Sequence, residues 1–589
     1  MASSHRETVR KRTTILFLLL LLPYLGIVGR LLYVQVLGNG TSLKWARRIR
    51  ARVRTIPAAR GCVYDRNGRA LAVNMETASV FANTREIKDP SKTAVRVASL
   101  LGEDSQTIEQ KISGSRAFVW LGRQLDADIG RKLWKIRTQI PGIGRQKDTK
   151  RVYPAGPLAA QIIGFTNIDN KGAEGIEHIQ EHLLTGVDGK YSAEVDDKGR
   201  VIPETRHNIR GPEDGKDIYL TIDTTIQHIA EQALAHMAEK YRPSNACAVV
   251  LDPKTGEILA LANYPGYDPN KARSANYALW RNKAVADLYE PGSTLKLVTI
   301  AGGLNEGLSP HEPMANCTGC ERIKGGKIPC VLHHPYEHGH GAADMYRIIR
   351  YSCNIGAAHV AMRLGAEKLY KYEKLFGLLD KAYAGFGCEA VGHVEPPQDW
   401  RLIRLADIGF GQGLAVTPLQ MASAYATIAN GGIYMRPQII REIRNPDGSI
   451  SKSFRPRSLR RAVSKKAAYE LRSMLVGCVD DGTGKTAQID GRTVAGKTGS
   501  AQIVKTNGRG YESGAYVASF MGFAPAYLPR LVIAVVVTRP QGSHWGATVA
   551  APVFQEIGEK ALWYLKVPTD APTKQELKHK QQGDKKRLV

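Results

Sequence analysis

Residues 13–29, TTILFLLLLLPYLGIVG, carry no charge, and apart from Arg30 the apolar run continues to Val36. About 20 apolar residues suffice to carry one helix across a bilayer, so a transmembrane helix is predicted here. A cleaved signal peptide is the alternative, but no small-x-small cleavage site follows the run, which favours a retained anchor. Beyond it the hydrophobic period shortens. Arginine alternates with other residues over 48–54 in RIRARVR, as in a strand. Val63-Tyr64 and Leu71-Ala72-Val73 flank the turn Asp65-Arg66-Asn67-Gly68, as in a hairpin. A mixed region rich in turn formers follows, and RGPEDGK at 210–216 reads as a linker by its Gly, Pro and charge.

After the linker DIYLTID reads as a strand. Asp223 is placed to cap an amphipathic helix with Ile226, Ile229, Ala233, Leu234 and Met237 on one face. ACAVVLDPKTGEILALANYP is a hairpin in sequence, two apolar runs around Asp-Pro-Lys-Thr-Gly. A long, mostly helical insert fills residues 270–485. The chain then returns to strands (TVAGKTGSAQIV, AYVASFMGFAPA, RLVIAVVVTRP) and closes on the helix APVFQEIGEKALWYLKV. Helix and hairpin first, strands and helix last, imply one antiparallel sheet assembled from both ends, with a helical subdomain between. The predicted class is α+β: a transmembrane helix, a mixed β-rich domain, then an antiparallel sheet flanked by helices. The boundaries fall at 1–12 (head), 13–36 (span), 37–210, 216–567, and 568–589, a basic tail.

With 589 residues, 43% hydrophobic and 23% charged, the chain is long enough for two or more packed domains and too apolar to be disordered. Its 82 basic and 55 acidic residues leave a formal charge of +27. Nucleic acid is a poor partner for that charge, since no zinc-finger, RNP or basic-zipper pattern accompanies it. A basic surface beside anionic lipids and wall polymers accounts for it. Basic residues flank the span on both sides, Arg6, Arg10, Lys11 and Arg12 before it and Arg47, Arg48, Arg50, Arg52 and Arg54 after it. Charge alone therefore does not orient it; the short head and large body favour a cytoplasmic amino end, with the rest outside.

GRTVAGKTGS, residues 491–500, carries two patterns at once. It satisfies the phosphate-loop spacing G-x-x-x-x-G-K-[ST], and Lys497-Thr498-Gly499 is the K-T-G of serine acyl-transferases. A phosphate loop needs a helix opening at the lysine, whereas SAQIV continues as strand. K-T-G recurs at Lys254-Thr255-Gly256, where a turn after Asp-Pro explains it. The company of the second copy raises its weight. Ser293-Thr294-Leu295-Lys296 follows Pro291-Gly292 at a helix start, with serine and lysine one turn apart on one face. Ser352-Cys353-Asn354 supplies S-x-N, and the order S-x-x-K, S-x-N, K-T-G is complete. Two decoys fail: Ser449-Ile450-Ser451-Lys452 is read as an exposed turn with no helix behind it, and Ser274-Ala275-Asn276 precedes Ser293.

With these motifs assembled, the chain resembles class B penicillin-binding proteins, the single-anchor peptidoglycan D,D-transpeptidases. RGCVYDRNGRALA, RVYPAGPLAAQIIGFTN, GAEGIE and GFGQGLAVTPLQMASAYATIANGG resemble family segments outside the motifs, and the stretch after K-T-G most resembles the cell-division, FtsI type, which implies septal wall synthesis, with the elongation and sporulation types as the alternative. The resemblance implies a pedestal, dimerisation-like domain over 37–210 and a transpeptidase domain over 216–567. It implies Ser293 as nucleophile toward a D-Ala-D-Ala stem peptide, Lys296 as base, Ser352 as proton relay and Asn354 as holder of the substrate amide. Lys497 and Thr498 would bind the terminal carboxylate. Gly499 lies in the same strand motif, and backbone N–H groups of Ser293 and Ser500 would form the oxyanion hole. The chemistry needs no cofactor. β-Lactams are implied inhibitors, and the implied partners are a membrane glycan polymerase of the shape, elongation, division and sporulation class and other divisome proteins. A β-lactamase would share the motifs but needs neither anchor nor first domain; a catalytically silent scaffold is disfavoured because every motif position is intact.

The segment between Ser293 and Asn354 holds four of the eight cysteines and five histidines. Three readings stay open: a Cys317–Cys330 disulfide, reduced thiols, or a structural zinc held by three thiolates and one imidazole. Some class B enzymes carry zinc here. By that resemblance the ligands are Cys317, Cys330, His340 and Cys353, with Cys320 and His333 as substitutes.

Overall fold

The computed structural model describes residues 2–37, 40, 51–114, 116–135, 140–196, 201–331, 338–505, 510–573 and 575–576. The chain packs as two compact units, Met1–Arg60 with Thr185–Gly215, and Gly61–Leu184 with Lys216–Val589.

In the first unit a helix runs over Ala2–Leu32 and continues as a wider turn to Leu37. Its stretch Ser4–Val36 is long and apolar enough to cross a membrane. Leu20 and Leu22 are more than two-thirds exposed, a waste of apolar surface in water but not in lipid. Pro23 lies inside the helix, where membrane helices tolerate it. A three-stranded antiparallel sheet follows, ordered Ala51–Ile56, Gly189–Glu194, His207–Arg210. The arginine-alternating strand is thus present from Ala51; Arg47, Arg48 and Arg50 lie outside the described residues, as does most of the expected basic tail.

In the second unit the hairpin around Asp65 forms as its turn chemistry predicts. The Asp65 carboxylate accepts from the backbone N–H groups of Asn67 and Arg69, both at 2.8 Å, and Gly68 takes φ +83°. Val63–Tyr64 then pairs antiparallel with Ala70–Asn83 and parallel with Asp217–Leu220. That parallel pairing, with the bond from Thr224 Oγ1 to Asp65 Oδ2 (2.8 Å), places residues either side of the 210–216 linker in one sheet. Packing therefore joins Gly61–Leu184 to the later part of the chain.

The five-stranded antiparallel sheet runs Ile258–Tyr264, Asn245–Leu251, Leu531–Thr538, Tyr511–Ala524, Ala495–Val504. It is built from both ends of the domain, and K-T-G lies on its edge strand. Strand alternation sorts side chains between two cores. Val250, Phe520 and Val535 pack with Ile226 and Leu234 of the helix Thr224–Tyr241 and with Phe554 and Ile557 of Ala551–Tyr564. Val249, Leu251, Met521 and Phe523 join the core that includes the fully buried helix Pro418–Ala429. Asp223 caps the first helix by accepting from Thr225 and Ile226 N–H groups. On its buried face Ala230 sits where Ile229 was expected, and Ile229 is half-buried. The insert is mostly helical with short strand pairs. One of these, Ile450–Ser453 against Ile440–Arg444, holds the last three residues of the second S-x-x-K as an exposed edge strand, while Ser449 closes the expected turn, its N–H donating to Asp447 Oδ1 at 2.9 Å; no helix follows directly.

Candidate active site

Pro291-Gly292 sets the first motif. Gly292 adopts φ +53°, a left-handed conformation that costs glycine little, and opens a tight 3₁₀ turn over Gly292–Leu295. The helix Lys296–Asn305 follows directly, so Ser293 and Lys296 project from one face. Lys296 Nζ lies 3.0 Å from Ser293 Oγ, 3.2 Å from Ser352 Oγ, 2.6 Å from the Ser352 carbonyl and 2.7 Å from Asn354 Oδ1. The hydroxyl of Ser352 is 2.8 Å from Ser293 Oγ. The first two motifs thus form one hydrogen-bonded cluster.

Ser352 holds its hydroxyl there at a cost. Its φ is +62°, uncommon for a residue with a Cβ and worth on the order of 1–2 kcal/mol of strain. Both neighbours are anchored, Tyr351 by its N–H, which donates to the Arg347 carbonyl (3.0 Å). Cys353 N–H donates to the Ile348 carbonyl (3.1 Å), and Cys353 Sγ caps the helix Asn354–Leu364 by accepting from Gly356 N–H (3.3 Å).

K-T-G enters from the edge strand. Gly499 is needed for approach: a Cβ there would lie 2.4 Å from Ser519 Oγ and 3.1 Å from the Pro291 carbonyl. Thr498, Gly499 and Ser500 line a cleft of about 650 Å³ together with Ser293, Ser352 and Asn354. Lys497 does not line it. It is fully buried behind the wall, its ammonium 3.3–3.4 Å from the Thr498 carbonyl and hydroxyl. Thr498 Oγ1 also meets Thr483 Oγ1 at 2.9 Å.

The buried cations set the electrostatics. Burial, first, and the Lys497 charge, second, lower Lys296 to about 7. An amine at that value is half neutral near neutral pH and can take the Ser293 proton. Burial lowers Lys497 as well. Asn354 is more committed than its expected role of substrate binding implies: Oδ1 accepts from Lys296, and Nδ2 donates to the Pro329 carbonyl at 2.9 Å. One Nδ2 hydrogen remains for a substrate carbonyl. The cleft also contains Tyr351, Asp481, Lys485 and Trp545, which sequence reasoning missed. Only the position of Tyr351 beside S-C-N signalled it; Asp481, held by Arg350 at 2.9 Å, comes from a distant helix end.

Directly behind Asn354, Cys317, Cys330, His340 and Cys353 are all buried, with ligand atoms within 4.8 Å of one another. His340 Nδ1 lies 3.5 Å from Cys317 Sγ and 3.4 Å from Cys330 Sγ, and the Cys330 and Cys353 sulfurs are 3.9 Å apart. Tetrahedral zinc with ordinary Zn–S and Zn–N bonds separates sulfurs by about 3.8 Å and sulfur from nitrogen by about 3.6 Å, so the four residues fit that ion. Hydrogen bonding with Cys353 holds Cys317 and Cys330 below the usual thiol range, and the same contacts push Cys353 up. All eight cysteines are free, Cys320 is exposed, and His333 lies outside the described residues.

The penicillin binding protein transpeptidase domain family matches residues 246–559, and the penicillin-binding protein dimerisation domain family matches 55–220. Stage V sporulation protein D of Bacillus subtilis is 32% identical over 594 residues, 99% of this chain and 90% of its own length. The peptidoglycan D,D-transpeptidase FtsI of Escherichia coli is 31% identical over 577 residues, 97% and 94% of the two chains. Penicillin-binding protein 3 of Mycobacterium tuberculosis, solved in complex with aztreonam, superposes with a TM-score of 0.68 at 29% identity, covering 88% of this chain and 99% of that one. The chain belongs to the class B penicillin-binding proteins. As such it is a serine D,D-transpeptidase of peptidoglycan and a β-lactam target. In this class B penicillin-binding protein the phosphate-loop reading of residues 491–500 fails on the fold: Lys497 sits mid-strand in Ala495–Val504, and no helix opens there.

Proposed function

We propose that Ser293 is the acylated residue and that the cluster around it divides the work as follows. Ser293 Oγ attacks the penultimate D-Ala carbonyl while Lys296 Nζ, 3.0 Å away, takes its proton. Ser352 Oγ, 2.8 Å from Ser293 Oγ and 3.2 Å from Lys296 Nζ, carries that proton to the departing D-Ala amine. Asn354 orients Lys296 and offers its remaining N–H to the stem peptide. Thr498 touches the terminal carboxylate, and Lys497 attracts it from behind the wall. Backbone N–H groups of Ser293 and Ser500 take the oxyanion. The acyl group then passes to the amine of a neighbouring stem. The observation that carries this reading is the mutual 2.8–3.2 Å spacing of the two hydroxyls and the amine at the cleft wall. Fluorescent penicillin applied to the purified full chain tests it: Ser293→Ala is expected to lose all label while keeping its circular dichroism, and equal labelling would refute it.

The division of labour along the chain follows: a cytoplasmic head over 1–12, an anchor over 13–36 with the amino end inside, a pedestal over 37–210, the transpeptidase over 216–567 and a basic tail over 568–589. The work site we assign is the septum, with a membrane glycan polymerase and divisome proteins as partners. A fluorescent fusion in dividing cells tests the site, and lateral or spore-restricted signal would contradict it. Cys317, Cys330, His340 and Cys353 hold one structural zinc, the reading their spacing supports. Asn354 N–H donates to Cys330 Sγ (3.3 Å) and its side chain to the carbonyl of the preceding Pro329, so rigidity at these four residues is rigidity at Asn354.

A further inference from the structure

Apart from the Ser293 cleft, the second unit holds a cavity of about 350 Å³ lined, among the described residues, by five basic side chains and by no Asp or Glu. Arg123 comes from the strand Phe118–Leu125, Lys150 and Arg151 from Ile143–Val152, and Lys271 and Arg273 from the turn Pro269–Ser274. It shares no lining residue with the Ser293 cleft.

Two of the cations are neutralised from behind. Arg151, its side chain 1% exposed, gives Nε to Glu177 (2.6 Å) and Nη1 to Asn74 (2.9 Å). Arg123 gives Nη1 to Asp169 at 2.7 Å. Each retains a buried N–H with no acceptor among the described residues, Arg151 at Nη2 and Arg123 at Nε. Such a group costs about 1–3 kcal/mol or more when left unpaired, and both atoms are closed to solvent, so the ligand-facing charge rests on the other cations of the lining. Lys150, Lys271 and Arg273 form no ion pair among the described residues, which leaves about three uncompensated positive charges around one small space.

The frame around them is rigid. Asn270 clamps Tyr153 from both sides, accepting from its N–H and donating to its carbonyl, each at 3.0 Å. The Gln124 amide ties Thr149 to Ile168 at 3.1 and 3.0 Å, from a residue held at φ +52°. Strain in a non-glycine residue at a cavity wall persists where surroundings enforce it, and such places are enriched in binding sites. A space this size is at the small end of ligand pockets, too tight for a glycan strand and ample for a phosphorylated head group. Planar guanidinium N–H groups flanked by ammonium and guanidinium charges match phosphate oxygens.

We propose that this cavity binds a phosphate-bearing anion of the diphosphate class. The site is independent of the Ser293 chemistry. The diphosphate could be free or carried on a lipid, and the test separates these sources. The full chain in detergent is titrated calorimetrically with inorganic diphosphate at about 150 mM salt, where exposed charges alone are largely screened. Saturable one-to-one binding is expected, weakened about tenfold or more in K150A/R273A, with fluorescent-penicillin acylation unchanged in that variant. Farnesyl diphosphate that displaces inorganic diphosphate would assign the site to lipid-borne ligand; inorganic diphosphate that binds undisplaced would assign it to a soluble one. Citrate binding as tightly as diphosphate, no saturable binding up to about 10 mM at that screening, or equal affinity in K150A/R273A would each overturn the proposal.

Discussion

The pH dependence of acylation follows from where Lys296 sits. Burial and the Lys497 charge bring its amine to about 7, so the neutral, proton-accepting form persists down to neutral pH and is lost below it. With a base of that value the neutral fraction is about 0.9 at pH 8 and about 0.09 at pH 6, so the rate falls roughly tenfold across that interval and is flat above pH 8. An ordinary lysine at 10.5 would be about 0.3% neutral at pH 8. Tuning therefore supplies about 300-fold more neutral base there, a gain in population that the lower basicity of the tuned amine partly offsets. Replacing Lys497 with Met removes the second cause of the lowering and is expected to move the midpoint to higher pH, besides weakening attraction of the substrate carboxylate. The assay is single-turnover acylation of the full chain by a fluorescent penicillin between pH 5.5 and 9.5, since the penicillin carboxylate stays ionised throughout. A rate that climbs about tenfold per pH unit from 6 to 9 without a plateau would mean an untuned base. A Lys497→Met midpoint at or below the parent value would refute the electrostatic coupling.

Other outcomes follow from contacts. Gly499→Ala places a Cβ 2.4 Å from Ser519 Oγ and 3.1 Å from the Pro291 carbonyl, so the strand must back away from the Ser293 turn; a loss of about 1–3 kcal/mol in stability, read by Tm, and about 100-fold in acylation is expected. Ser449→Ala, in an exposed turn, and Lys452→Ala, on the exposed edge strand after it, are expected to leave penicillin labelling unchanged. Untagged protein is expected to carry about one zinc per chain by metal analysis, and chelation to lower Tm and slow acylation together. Metal-free protein acylating at the full rate would remove zinc from the account.

What the sequence disclosed was mostly local. The Asp223 cap, the Asp65 turn and the two hairpins follow from residues a few positions apart, and each is present. That one sheet draws on both ends of the domain was legible because apolar runs there needed one another's edges; the order of its strands was not. Non-local facts were not. That Lys497 lies behind Thr498 depends on strand facing: alternate residues of an edge strand turn to opposite faces, and only packing says which face is the cleft. The engagement of both ends of the Asn354 amide needs Pro329, which the pattern S-C-N does not mention. Nor could spacing show that the hairpin at residues 63–83 shares a unit with the chain beyond the linker, since the decisive pairing is with Ile218 and Tyr219. The Ser451–Lys452 region reads as turn from NPDG; tertiary pairing with Ile440–Arg444 makes it a strand.

The central claim, that Ser293 is acylated with Lys296 as its base, is tested most directly by peptide mass mapping of the full chain after a brief exposure to penicillin. One adduct is expected, equal in mass to the intact drug and confined to the peptide containing Ser293, absent in Ser293→Ala and strongly reduced in Lys296→Met. An adduct on any other peptide of the parent protein, or one that survives Ser293→Ala, would contradict it.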